Sequence, residues 1–136
     1  MQTVFTSEYL IIKTDHEASI LYWEWTEETK HLTDDKFLAL AKIIMDKAYE
    51  LKYQNAIDNA LNFRFAVSVQ LQEKMAATMF SIRRYFTSRL AHVNAKEMVS
   101  SLSQQQVWEE NKEKKYVEKY FNNLEDAMEW IRNNNL

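Results

Sequence analysis

The run Asn55-Ala56-Ile57-Asp58-Asn59-Ala60-Leu61-Asn62-Phe63-Arg64-Phe65-Ala66-Val67-Ser68 decides the fold class. Its first four residues read as a short buried strand that ends in an acid. Asn59 to Val67 then form a loop. Ser68 is placed to cap a long helix over about 69–88, whose Leu71, Met75, Met79, Ile82 and Phe86 share one face. Upstream, Thr33 caps a helix over about 34–52. Asp34 and Asp35 lie in its first turn, and Phe37, Leu40, Ala41, Ile44, Ala48 and Leu51 form its apolar stripe. A strand held between two amphipathic helices is the unit of a parallel sheet with helical crossovers.

The pattern repeats toward the C-terminus. Leu90-Ala91-His92-Val93-Asn94 reads as a strand, 100–112 as a helix, and Tyr116 to Phe121 as a further strand. Asn122 or Asn123 caps a last helix with Leu124, Ala127, Met128 and Ile131 on its apolar side. Before residue 34, residues 3–13 and 18–26 read as two strands joined by the polar turn Lys13-Thr14-Asp15-His16-Glu17, hence an antiparallel hairpin. The expectation is one α/β domain over 1–136. It holds a mixed five-stranded sheet, made of an N-terminal antiparallel hairpin and then β-α units, with helices on both faces.

Composition narrows the function. The 136 residues include no glycine, no proline and no cysteine. Glycine serves where the backbone turns with positive φ or approaches a ligand closely. Its absence removes the phosphate-binding loop, the dinucleotide fingerprint, the nucleophile elbow and the EF-hand together. Without cysteine there is no disulfide, no thiolate nucleophile and no thiolate-ligated zinc. Turns fall to the ten asparagines. The formal net charge of -3 argues against a nucleic-acid partner. No apolar run is long enough for a signal sequence or a membrane span, so a cytoplasmic protein is expected.

Candidate chemistry is sparse. His16, His31 and His92 are scattered without metal-ligand spacing, so no metal site and no cofactor is expected. The paired acids Asp34-Asp35 and Glu125-Asp126 suit the first turns of helices. Arg83, Arg84 and Arg89 suit the C-terminal end of the helix that starts at Ser68. The aromatic strand Tyr22-Trp23-Glu24-Trp25 has two readings, an exposed recognition surface or dimer seam, or a core strand beneath helices. The best candidate for a binding or regulatory site is the segment of Asp58, Asn59, Asn62, Arg64 and Ser68. Ligands of open α/β sheets gather beyond the carboxyl ends of strands, and Asp58 stands at such an end. Arg64 is in reach to pair with Asp58. Ser68 presents a hydroxyl at a helix N-terminus, either for phosphate or as a plain cap.

The segment 55–65 with Ser68 and Leu71-Gln72-Glu73, together with Tyr120-Phe121-Asn122-Asn123-Leu124-Glu125-Asp126-Ala127-Met128-Glu129-Trp130-Ile131, resembles bacterial STAS-like proteins. That fold is shared by anti-sigma-factor antagonists and the cytoplasmic ends of sulfate transporters. The nearest likeness is to small single-domain members of Bacteroidetes type. The resemblance implies a non-enzymatic regulatory or protein-interaction module with a protein partner, and a possible homodimer. It also implies that Asp58 matches the acid ending the strand and Ser68 the hydroxyl that a partner kinase phosphorylates. In the antagonists that hydroxyl follows the strand almost directly, whereas here Asn59, Ala60 and a longer loop intervene. The alternative is a carrier of a small apolar ligand between sheet and helices, lined by Met75, Met79, Phe80 and Phe86.

Overall fold

The computed structural model describes residues 1–75, 88–95 and 117–133. The helix expected over 100–112, and most of the one expected over 69–88, lie outside the described residues. The chain forms a mixed α/β fold with a six-stranded sheet in the order β1-β2-β3-β4-β5-β6. The strands are β1 (Gln2–Thr6), β2 (Leu10–Asp15), β3 (Ile20–Trp25), β4 (Asn55–Asn59), β5 (Arg89–Val93) and β6 (Val117–Phe121). The first three pair antiparallel and the last three join in parallel.

The sixth strand corrects the expected five. The stretch 3–13 is two strands because Ser7 breaks it. The Ser7 hydroxyl oxygen accepts the N–H groups of Tyr9 and Leu10 at 3.2 and 3.0 Å, and the Ser7 N–H donates to the Leu10 carbonyl at 2.9 Å. A serine side chain that satisfies two backbone donors holds a tight turn against continued strand. Ser7→Ala should therefore cost about 1 kcal/mol. Amide exchange at Leu10 should quicken with it, as NMR would show.

Among the described residues three helices flank the sheet: α1 (Asp34–Leu51), α2 (described over 69–75) and α3 (Leu124–Arg132). Their N-caps stand where the sequence puts them. Thr33 accepts from the Lys36 N–H, Ser68 from Leu71 and Asn123 from Asp126. A short 3-10 helix, Glu27–His31, follows β3. On one face of the sheet α1 and α2 cover Leu10, Ile12, Leu21, Trp23, Trp25, Ala56 and Leu90. On the other, Ala127 and Ile131 of α3 cover Ile20, Tyr22, Ile57, Ala91 and Val93. The strict alternation of β4 and β5 between these two cores follows from the two-residue period of a strand buried on both sides.

Arg89 opens β5 rather than ending a helix. Its guanidinium donates to the carbonyls of Trp130 and Asn133, the last turn of α3, and so still serves as a C-terminal cap, but of a different helix. Among the described residues no helix is long and apolar enough to cross a membrane.

Candidate functional site

In the parallel half of the sheet, Trp23, Asp58, His92 and Tyr120 stand side by side on β3, β4, β5 and β6. By strand alternation they share the face covered by α1 and α2, with Glu118 one pleat back on β6. His92 joins the two acids. Its Nδ1 lies 3.1 Å from Asp58 Oδ2 and its Nε2 lies 2.5 Å from Glu118 Oε1. The side chains are only 5% exposed for His92 and 3% for each acid. The Tyr120 ring stacks on the imidazole at 4.8 Å.

Two carboxylate neighbours call for donors on both ring nitrogens, which is the imidazolium form. Burial, the largest single influence, works against that charge. The hydrogen bonds and charges of Asp58 and Glu118 together outweigh it and hold His92 above the ordinary imidazole value. An imidazole spent in this way has no lone pair left to abstract a proton or ligate a metal. Among the described residues no three acidic, histidine or cysteine side chains are grouped to hold a metal. Asp58 Oδ1 is buried and accepts no hydrogen bond among the described residues. The cluster is a charge clamp that ties β4, β5 and β6 across the sheet.

The five residues expected to form a site fall in three places. Asp58 lies in the interior, and its partner is His92 instead of Arg64. The strand runs on through Asn59, so residue 58 keeps strand geometry and its side chain stays between sheet and helices. Asn59 is on the opposite face. Its Nδ2 donates to the Tyr22 hydroxyl at 2.9 Å and its Oδ1 accepts the Leu61 N–H. The Tyr22 hydroxyl donates in turn to Glu24 at 2.5 Å. Burial and then the Glu24 carboxylate push that phenol well above the tyrosine range, against the bond from Asn59. Asn62 is half-buried, with Oδ1 lacking a hydrogen-bond partner among the described residues.

Arg64 and Ser68 belong to the rim beyond the carboxyl ends of β3 and β4. Arg64 Nη2 lies 3.3 Å from Glu27 Oε1, and the Arg64 N–H donates to Thr29 Oγ1 at 2.8 Å. Both links dock the loop on the 3-10 helix. Phe63 fixes it from beneath, fully buried with its ring 5.4 Å from Trp25 and 5.8 Å from Phe37. Phe65 packs beside them, 5.4 Å from Phe37. Ser68 spends its oxygen on the cap of α2. Just past it, Val69 is 66% exposed.

Two further expectations resolve here. Tyr22, Trp23 and Trp25 are all buried, so the aromatic strand is core and presents no recognition surface. β3 is an inner strand with an apolar layer on each side, which covers its aromatic side chains and leaves only Glu24 partly exposed. Met75 is likewise fully buried in the core, while Met79, Phe80, Phe86, Arg83 and Arg84 lie outside the described residues. His16 Nδ1 meets the Tyr53 hydroxyl at 3.2 Å and His31 lies 3.9 Å from Glu28, so each has its own local partner.

His92 and Glu118 were not among the expected site residues. The available signal was a polar side chain inside an otherwise apolar strand, Leu90-Ala91-His92-Val93, in a chain where Asp58 holds a like position. Compared with models of protein families, with curated proteins and with solved structures, the chain matches none.

Proposed function

We propose that this chain is a non-enzymatic regulatory or protein-interaction module of STAS-like fold, which binds a protein partner through the rim formed by residues 27–31 and 60–70. The observation that carries the reading is the preorganised loop. Phe63 is sunk in the core, Arg64 is held by Glu27 and Thr29, and the surface left outward includes Ala66, Val69 and Gln70. A loop already held in one conformation loses little entropy on binding. An exposed valine beside a fixed arginine is the mixed apolar and charged character of a protein contact. The interior histidine supports the same reading, since both its nitrogens are engaged with carboxylates.

Affinity capture from native lysate tests this with three forms of the protein. Val69→Asp and Arg64→Ala should each lose the captured partner at least tenfold. Tyr49→Asp, at a position 61% exposed on α1, should retain it. All three should melt within a few degrees of the parent, because exposed substitutions and exposed ion pairs contribute about 1 kcal/mol or less. Capture that is indifferent to Val69 and Arg64 would overturn the assignment of the rim.

A further inference from the structure

We draw no further inference here: the strongest candidate, the outer edge of β1, an uncharged strand that ends the sheet and leaves Val4 exposed, carries nothing because its register shifts between Thr3 and Phe5 and nothing in the structure shows what covers it.

Discussion

His92→Leu is expected to lower the unfolding free energy by about 3–5 kcal/mol, the range found when one member of a buried charge cluster is removed. The leucine fills much of the volume, so lost packing is not the main cause. Two carboxyls, each 3% exposed, would be left in a low-dielectric layer without the cation that lies between them. One of them would have to take up a proton to remain buried. Urea unfolding of parent and variant at the same pH measures the difference. A loss below about 1 kcal/mol would mean that the carboxylates do not depend on the imidazolium.

The same residue sets a pH dependence with a definite sign. The folded protein holds the His92 proton above the ordinary imidazole value, while the unfolded chain holds it near about 6.5. Below that pH both states are protonated and the contribution to stability is complete. Above it the folded state keeps a proton that the unfolded state has lost. Stability from this residue therefore declines as pH rises, until the pH passes the folded value. In His92→Leu that part of the slope should vanish.

Phe63→Ala is the second large effect, about 3–5 kcal/mol, as for other fully buried aromatic rings cut to a methyl group. Phe63 is in contact with Trp25, Phe37 and Phe65, so its loss opens a cavity between β3, α1 and the rim loop. The local consequence is more informative than the global one. The Arg64 N–H, which donates to Thr29 Oγ1, should exchange with solvent far faster once the ring beneath it is gone. Phe63→Leu should recover a large share of both stability and protection. If Arg64 exchange were unchanged in Phe63→Ala, the ring would not be what holds the loop.

How much of this was legible beforehand follows the range of each interaction. Thr33, Ser68 and Asn123 are legible as caps because a cap is made within three residues of the chain, and all three accept the bonds that define one. β4 was legible because its two flanking helices carry clear apolar stripes. The split at Ser7 was missed, since the β-branched and aromatic run on either side outweighed one serine whose hydroxyl closes the turn. The pairing within the clamp is not legible, although His92 and Asp58 each stand out as a polar side chain in an apolar strand. Asp58 and His92 are 34 residues apart, and only the register of β4 on β5 brings them together. Proximity in sequence suggests Asp58 as the partner of Arg64. The fold instead turns one inward to His92 and the other outward to Glu27.

The central claim is that the buried His92 is a structural cation with no nitrogen to spare. The direct measurement is the ¹⁵N chemical shift of both His92 ring nitrogens at pH 8, above the ordinary imidazole range. The account predicts that Nδ1 and Nε2 both remain protonated there. A neutral His92 at pH 8, with one nitrogen bearing a lone pair, would contradict it and would return this residue to the candidates for acid–base chemistry.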